Sequence, residues 1–350
     1  MNGAPRLSVL LAVFNGEAHL DEAIRSVLSQ TFQDFEFIII DDGSTDGTAR
    51  ILERFRREDG RIRLYSQANR GLVASLNLGM KLAAGEYIAR MDADDISLTD
   101  RFAAQVTYMD AHKEVGVCGT WVETFGSGRS DIVRYPSDDG TIRSWLLFES
   151  AMAHSSVMLR RSMLESHGLA YNIHALHAED YDLWVRAAHH TILANIPAVF
   201  LRYRVHPQQV GSRYEEEMRE SAQRIRLAQL DRLGIRPTEE EAKLHETLSR
   251  WKFEPTRHFL RAAREWLSKL ASANSSVHAC PQADFHFVLG QRWAEVCAAA
   301  THEGIRTLVA FWRAPVLAVY GFTWMQHVKF AAKCIIRKRQ PVWSNCGHTV

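Results

Sequence analysis

The chain has 350 residues, 46% of them hydrophobic, which is an ordinary globular composition with enough apolar material for two compact units. Its formal net charge of +1 gives no reason to expect attraction of the whole protein to nucleic acid. The five cysteines are scattered and none has a C-x-x-C spacing, so neither a disulfide framework nor a zinc site is indicated, and a reducing cytoplasm is expected. The opening apolar run, residues 7–14, is too short for a signal peptide, so the N-terminus is expected to stay in the cytosol.

Residues 7–112 alternate short apolar runs with amphipathic segments, a pattern typical of alternating strands and helices. Strands are predicted at residues 7–14, 35–40, 62–65 and 87–91. Helices are predicted at residues 20–32, 45–57, 72–84 and 101–112. The strand at 35–40 is almost continuously apolar, which favours a parallel sheet covered by helices on both faces.

Polar residues follow each of these four strands, at the ends where such sheets bind ligands. They are Asn15 and Glu17, then Asp41 and Asp42, then the run 69–71 that contains Arg70, and finally the acidic run 92–95. Because the carboxyl ends of parallel strands meet at one edge of a sheet, we expect the four loops to converge on one rim.

From residue 113 the pattern becomes mixed, with strands predicted at 115–120, 155–159 and 199–203 and a helix beginning near Glu179. Beyond Tyr214 the chain is almost wholly helical, with helices predicted at 215–233, 239–250, 258–270, 285–300 and from 305, and a loop at 272–281. The predicted domains are residues 1–212, divided into two halves (1–112 and 113–212), and a helical region at 213–350.

Three carboxylates crowd into four residues directly after the fourth strand: Asp92, Asp94 and Asp95. Adjacent acids repel, and a hard divalent cation such as Mg²⁺ or Mn²⁺ compensates when carboxylates and the phosphate oxygens of a substrate hold it. The segment therefore indicates a nucleotide-diphosphate site. The alternative is an acidic turn whose aspartates cap the helix predicted to begin near Asp100.

Several motifs together resemble the donor-binding half of a family 2 glycosyltransferase of the bacterial surface-polysaccharide type, in the family's order and spacing. They are the runs 7–15, 26–32, 40–48 and 69–71, and the acidic run 92–95. The resemblance covers roughly residues 5–210. It implies the GT-A fold, an α/β, Rossmann-like mixed sheet with helices on both faces, followed here by the helical C-terminal region.

The resemblance implies that the acidic run is the family's DXD motif, in which Asp92 and Asp94 bind the diphosphate of a sugar nucleotide through Mn²⁺ or Mg²⁺. His206 lies where many GT-A enzymes place a histidine that completes the metal or diphosphate site, and a neutral imidazole is a competent ligand. A purely structural histidine is the alternative. The predicted donor-contacting residues are Phe14, Asn15, Glu17, Asp41, Asp42, Arg70, Asp92 and Ala93.

Asp41 matches the family position that contacts the nucleotide base. A carboxylate at a strand end can accept a hydrogen bond from the imide N–H of uracil or thymine, which makes Asp41 compatible with UDP or dTDP. Turn formation and helix capping are the alternative roles of Asp41 and Asp42. Arg70 could pair with phosphate or be an exposed turn residue, and residues 15–17 could serve simple turn chemistry.

Glu179 and Asp180 begin a predicted helix that faces the sugar in the family. The resemblance implies that Asp180 is the general base, which takes the proton of the acceptor hydroxyl as that oxygen attacks the anomeric carbon, with Asp182 as a fallback. Attack opposite the leaving diphosphate inverts the anomeric centre without a protein nucleophile. The alternative is that these acids stabilise a helix N-terminus. His154 either lines the acceptor cleft or is a buried structural histidine.

Processive synthases of the family carry a Q-x-x-R-W motif and long transmembrane helices, and residues 291–293 have the wrong spacing for that motif, so single-sugar transfer is expected. A nucleotidyltransferase is an alternative, but residues 12–17 do not form the Gly- and Lys-rich loop that it needs. A non-catalytic glycan- or nucleotide-binding module is a further alternative. Intact acids at Asp92, Asp94 and Asp180 are hard to reconcile with it.

Residues 308–325 are rich in apolar and aromatic groups and precede a basic stretch at 329–339. Arg313 and Pro315 interrupt the best spanning candidate, so a helix lying in the headgroup plane is the membrane interpretation. It would place a cytoplasmic, peripheral enzyme at the inner face of the cell membrane, near a saccharide acceptor carried on a polyprenyl lipid. The alternative is an aromatic helix packed on the catalytic domain.

Overall fold

The computed structural model describes residues 4–126, 128, 130–206, 214–314 and 324–337. These residues group in two compact units. The first is drawn from residues 1–139 and 150–222, and the second from residues 140–149 and 223–349. The second unit therefore includes a short segment from the middle of the chain.

Nine strands form one sheet in the described part of the chain. They are β1 (Leu7–Val13), β2 (Phe35–Asp41), β3 (Ile62–Ser66), β4 (Tyr87–Met91), β5 (Ile96–Ser97), β6 (Val115–Phe125), β7 (Ile132–Val133), β8 (Met158–Arg160) and β9 (Ile192–Arg204). Their order across the sheet is β3-β2-β1-β4-β8-β6-β9-β5, and β7 pairs with β6.

The helices of the described residues are α1 (Leu20–Leu28), α2 (Thr48–Glu58), α3 (Leu72–Leu82), α4 (Arg101–Ala111), α5 (Asp139–Trp145), α6 (Arg161–Ser166), α7 (Glu179–Ala187), α8 (Glu215–Arg232), α9 (Glu239–Arg250), α10 (Arg257–Val277), α11 (Gln282–Ala299), α12 (Ile305–Trp312) and α13 (Trp324–Ile335). Short 3-10 helices lie at His154–Ser156 and Thr301–Glu303.

Strand β1 lies in the parallel half of the sheet, with Leu7 opposite both Phe35 and Tyr87. Nearly every residue of β1, β2 and β4 is buried, as expected for strands covered on both faces. The register aligns Val13 with Asp41, so the loops after β1 and β2 leave the sheet at one level. The predicted parallel sheet of four strands with alternating helices is confirmed.

The rest of the sheet is mixed, as predicted: β8 runs antiparallel to both β4 and β6, while β6 and β9 are parallel. Strand β9 begins at Ile192, earlier than the predicted start at 199. The reason is an irregularity in the β6–β9 pairing, where Thr120 faces Ile196 and Trp121 faces Val199. Pro197 lies in that irregularity, where its missing N–H does not interrupt the ladder, so its presence does not end the strand.

The second unit has its own core, which includes the buried side chains of Trp266, Phe285, Trp293 and Phe311. His245 is also buried there: Trp266 Nε1 donates to His245 Nδ1 at 3.1 Å, and Nε2 lies 3.1 Å from the carbonyl oxygen of Leu147. This arrangement fixes the neutral tautomer that carries its proton on Nε2. Burial lowers the pKa of His245 to about 3.

Helix α10 continues to Val277, so the loop predicted at 272–281 is wrong over its first half. Asn274 explains where the helix stops, because its buried side chain accepts from the Cys280 N–H at 2.9 Å and donates to the Cys280 carbonyl at 3.0 Å. These two hydrogen bonds hold the turn between α10 and α11.

The predicted interfacial helix lies partly outside the described residues, which omit 315–323 and everything after 337. On either side of the gap, Phe311 of α12 and Phe330 of α13 are buried in the core of the second unit. No helix in the described ranges combines the length and the apolar character needed to cross a bilayer.

Candidate functional site

The loops after β1 and β2 are held together by hydrogen bonds. Asn15 has a left-handed backbone (φ 53°), its N–H donates to Ser44 Oγ at 3.0 Å, and its Oδ1 accepts from the Thr45 N–H at 2.8 Å. The Glu17 carboxylate accepts from the Gly47 N–H at 2.9 Å. Both side chains thus perform the turn chemistry that the sequence offered as an alternative, while Phe14 leaves 50% of its surface exposed beside them. A donor contact by these residues stays a prediction.

The two aspartates at the end of β2 differ in their hydrogen bonding. Asp42 accepts from the Gln67 side chain at 2.7 Å and from the backbone N–H groups of Arg70 and Gly71 at 2.9 and 2.8 Å. Asp41 accepts from the Ser44 N–H at 3.0 Å and is otherwise buried at the strand end. Asp42 therefore anchors the start of α3. The Arg70 side chain is exposed at that loop.

The acidic loop after β4 gathers three carboxylates into one cluster. One ligand oxygen each from Asp92, Asp94 and Asp95 lies within 4.8 Å of the other two. His206 Nε2, at the end of β9, lies 3.0 Å from Asp94 Oδ2. The predicted metal residues therefore come together, and the structure adds Asp95, which the sequence analysis left without a ligand role. Ala93 lies close to the first loop, because a Cβ added at Gly16 would stand 3.6 Å from the Ala93 Cβ.

Two arginines that the sequence analysis did not single out hold this cluster in place. Arg90 is buried and ion-pairs with Asp92. Arg204 donates its backbone N–H to Asp95 Oδ1 at 2.8 Å and its Nε to the Asp94 carbonyl at 2.7 Å. A charged residue in an otherwise apolar strand, as at Arg90, indicates a buried ion pair. The contacts of Arg204 could not be predicted in this way, because they depend on how β9 pairs within the sheet.

The site is crowded with negative charge. Burial raises the pKa of both Asp92 and Asp95, and the neighbouring carboxylates raise them further. Asp95 Oδ2 is buried without a hydrogen bond of good geometry. Carboxylate oxygens with one imidazole form a donor set that suits Mn²⁺ or Mg²⁺, and an under-satisfied buried oxygen is what a cation would complete. The residues fit the predicted ion.

Helix α7 brings further acids to the same unit. Glu179 is 5% exposed, and burial together with the adjacent Asp180 raises its pKa to about 7. Burial also raises the pKa of Asp180, against the opposing effect of the Arg90 charge. Since Arg90 and Asp92 both act on Asp180, the start of α7 and the acidic loop share one electrostatic environment.

Asp182 is engaged differently from Asp180. It accepts from Arg186 Nε at 2.7 Å and from the Asn172 side chain at 3.4 Å. The Asp182 carboxylate is therefore engaged in an ion pair within α7.

His154 has the contacts of a structural histidine. Its Nε2 lies 2.8 Å from the Tyr171 hydroxyl, and its ring packs edge-on against Trp184. Burial lowers the pKa of His154 well below its ordinary value. The Tyr171 backbone is itself clamped by Asn77, which donates to the Tyr171 carbonyl and accepts from its N–H, both at 2.9 Å.

Residues 8–168 match the family described as Glycosyl transferase family 2. An uncharacterized glycosyltransferase of Haemophilus influenzae is 33% identical over 250 residues, which cover 67% of this chain and 77% of that protein. The amylovoran biosynthesis glycosyltransferase AmsE of Erwinia amylovora is 30% identical over 212 residues, 59% of this chain and 79% of that protein. The chain belongs to glycosyltransferase family 2. This assignment gives no support to the nucleotidyltransferase alternative.

Solved structures agree on the fold. S. aureus TarS 1–349, in its complex with UDP-GlcNAc, superimposes with a TM-score of 0.56 at 17% identity, covering 93% of this chain and 90% of that chain. The complex of the same protein with UDP gives a TM-score of 0.54 over the same coverage. At this identity the likeness concerns architecture alone, and it confirms the predicted GT-A fold with a helical C-terminal region.

Proposed function

We propose that this family 2 glycosyltransferase transfers a single sugar from a UDP- or dTDP-sugar to a saccharide acceptor, with inversion at the anomeric carbon and with a divalent metal. The observation that carries the proposal is the meeting of Asp92, Asp94 and His206 in a unit where Asp180 shares their electrostatic environment. The acidic cluster suits the binding of a diphosphate, and Asp180 suits proton transfer.

The acidic cluster is the proposed diphosphate site. Asp92, Asp94 and His206 would hold Mn²⁺ or Mg²⁺, with Asp95 beside them, and the ion would neutralise charge on the departing diphosphate. Arg90 and Arg204 keep the carboxylates in position through the contacts described above, so the site is formed before the donor arrives.

Asp180 is the proposed general base, with Glu179 as its neighbour. As the acceptor oxygen bonds to the anomeric carbon, the bond from that carbon to the diphosphate oxygen breaks, and the acceptor proton passes to the Asp180 carboxylate. Attack and departure on opposite faces invert the centre. Because burial raises the pKa of Asp180, its carboxylate is a stronger base than that of an ordinary aspartate in water.

Asp41 is the reason for proposing uracil or thymine as the base of the donor. It lies buried at the end of β2, and its carboxylate has one backbone donor, Ser44, in the described structure. A base imide N–H is a matching second donor. TarS, which shares the fold, has been solved with UDP and with UDP-GlcNAc. Phe14, Asn15, Glu17, Asp42, Arg70 and Ala93 form the proposed remainder of the donor-binding edge.

We further propose a polyprenyl-linked acceptor used in bacterial surface polysaccharide synthesis, at the inner face of the cell membrane. The name of AmsE, which refers to amylovoran biosynthesis, supports the pathway class. An acceptor carried on lipid would require peripheral contact of the enzyme with the membrane.

A donor panel tests the proposal. Hydrolysis of UDP-, dTDP- and GDP-sugars is followed with Mn²⁺, Mg²⁺ or EDTA, and NMR reports the anomeric configuration of the sugar first released. We expect turnover of one uridine or thymidine donor, with metal only and with inversion. Asp94→Ala should abolish it, and Asp182→Asn, on the same helix as the proposed base, should retain most of it. Turnover in EDTA, retention of configuration, or preference for GDP donors would each contradict a stated part of the proposal.

A further inference from the structure

Eight of the fourteen large apolar side chains that are exposed in the described structure lie between residues 305 and 336. They form what we call the tail surface: Ile305, Val309, Trp312, Trp324, Met325, Val328, Ile335 and Ile336. Trp324 is 78% exposed and Trp312 57%. Trp312 stacks on His327, with ring centroids 5.2 Å apart, and still leaves more than half of its surface to solvent. Exposed apolar groups clustered in this way mark an interaction site.

The tail surface follows helical spacing. On α12 the exposed positions are Ile305, Val309 and Trp312, at i, i+4 and i+7, whereas Thr307 and Phe311 are buried. On α13, Trp324 and Val328 are one turn apart on the exposed side. Both helices therefore carry apolar side chains on the face that packs into the second unit and also, between exposed basic residues, on the face directed to solvent.

Helix α2 shows the ordinary arrangement by contrast. Its buried side carries Leu52 and Phe55, and its exposed side carries Arg54, Arg56 and Arg57. A helix that needs only to cover a core has a charged outer face like this one. The apolar side chains on the outer faces of α12 and α13 therefore need an explanation other than covering a core.

Charge indicates what covers the tail surface. The sequence contains no aspartate or glutamate after Glu303, while Arg306, Arg313, Lys329 and Arg337 are exposed among the apolar side chains. A second copy paired through the same surface would set these cations against one another. A bilayer with anionic headgroups offers both an apolar phase for the tryptophans and negative charge for the basic residues.

We propose that the tail surface binds the interface of a bilayer that contains anionic phospholipid. Trp312 and Trp324 lie at headgroup level, the aliphatic side chains enter the acyl boundary, and the basic side chains pair with lipid phosphates. The inference builds on the proposed function in one respect, because such contact would bring the enzyme to a lipid-linked acceptor. The binding itself involves neither the donor nor the metal.

Vesicle sedimentation tests this proposal with the full chain and no nucleotide present. Sucrose-loaded vesicles of phosphatidylcholine alone are compared with vesicles in which about one third of the lipid is phosphatidylglycerol. We expect binding to the anionic vesicles that weakens as salt increases. Trp312→Ser with Trp324→Ser should weaken partitioning about tenfold or more, and Arg313→Glu with Lys329→Glu by a similar factor together with a smaller salt dependence.

Phe287 provides the matched control, since it is an exposed aromatic residue of the same unit outside the tail surface. Phe287→Ser should bind vesicles like the natural chain, and circular dichroism checks that each variant is folded. Three results would overturn the proposal: no binding to anionic vesicles, equal binding by the tryptophan variant, or a soluble dimer by light scattering that the same variant dissociates. Failure of donor hydrolysis with vesicle binding intact would instead contradict the proposed function alone.

Discussion

The edge of the sheet in the first unit and the tail surface in the second expose opposite kinds of side chain. At the sheet edge the prominent groups are carboxylates, fixed by backbone donors and by buried or half-buried arginines. On α12 and α13 the prominent groups are tryptophans and aliphatic side chains spaced by helical turns. The proposed chemical site thus depends on a few residues held by many contacts, whereas the proposed binding surface depends on the pattern of a whole face.

The largest expected effect tests whether Asp180, rather than Asp182, acts as the general base. Asp180→Asn should lower kcat by about 10²–10⁴-fold and leave donor binding intact, because a general base contributes about that much and the diphosphate site is untouched. Asp182→Asn should have a far smaller effect, since Asp182 is paired with Arg186. Initial-rate kinetics and donor titration measure both. Equal losses in the two variants would contradict the division of roles.

The second prediction concerns the rigidity of the sheet edge. Asp42→Ala should lower the free energy of unfolding by about 2–4 kcal/mol, because three donors, two of them backbone N–H groups at the start of α3, lose their acceptor. Urea denaturation measures the change. Asp41→Ala, which removes the acceptor of one backbone N–H, should destabilise less and weaken donor binding more. The reverse order would assign the base contact to Asp42.

The third prediction moves to the core of the second unit. The pKa of His245 is about 3 in the folded protein against an unfolded value near 6.5, so below pH 6.5 the unfolded chain binds the proton first and stability falls. The loss between pH 6.5 and pH 5 should be about 2 kcal/mol. In chemical denaturation, His245→Gln should lose less stability than the natural chain between pH 6.5 and pH 5, by about that amount. An unchanged slope would mean that His245 titrates normally.

The smallest expected effect separates backbone strain from steric conflict at the loops of the sheet edge. Gly43 and Gly71 both have positive φ, but a Cβ at Gly43 would stand 2.8 Å from the Asn69 backbone nitrogen, whereas nothing lies within 4 Å of one at Gly71. Gly71→Ala should cost about 1 kcal/mol of stability and Gly43→Ala about 1–2 kcal/mol more. Thermal unfolding measures the stability of both variants. Equal losses of stability would show that the backbone around Asn69 moves aside at no cost.

Much of the fold was predictable because its signals are local. Continuous apolar runs indicated the parallel strands, and the acidic run 92–95 indicated the edge of the sheet where carboxylates gather. The same patterns could not show that Arg204 anchors Asp94 and Asp95, because that contact arises from the pairing of β9 within the sheet. Asp95 was part of the predicted acidic run but was not predicted as a ligand, for a similar reason, since the direction of each carboxylate depends on the loop.

In the C-terminal region the sequence indicated the helices, and both ends of α9 agree with the structure, but it did not indicate the length of α10 or the exposed faces. The run of small and polar residues after Leu270 favoured a loop, yet the contacts of Asn274 with Cys280 support a longer helix. Aromatic enrichment near residue 312 left two alternatives, packing on the catalytic domain and membrane contact. The structure shows packing at Phe311, which is buried in the core of the second unit, while the adjacent Trp312 is exposed and its membrane contact stays a proposal.

Calorimetric titration of UDP measures whether the acidic loop binds a nucleotide diphosphate through a metal, as we propose. We expect UDP to bind with Mn²⁺ and EDTA to remove the binding, and we expect Asp94→Ala to lose the binding while Asp180→Asn keeps it. Equal UDP binding in EDTA, or unchanged binding by Asp94→Ala, would contradict the claim and leave Asp92, Asp94 and His206 as a structural cluster.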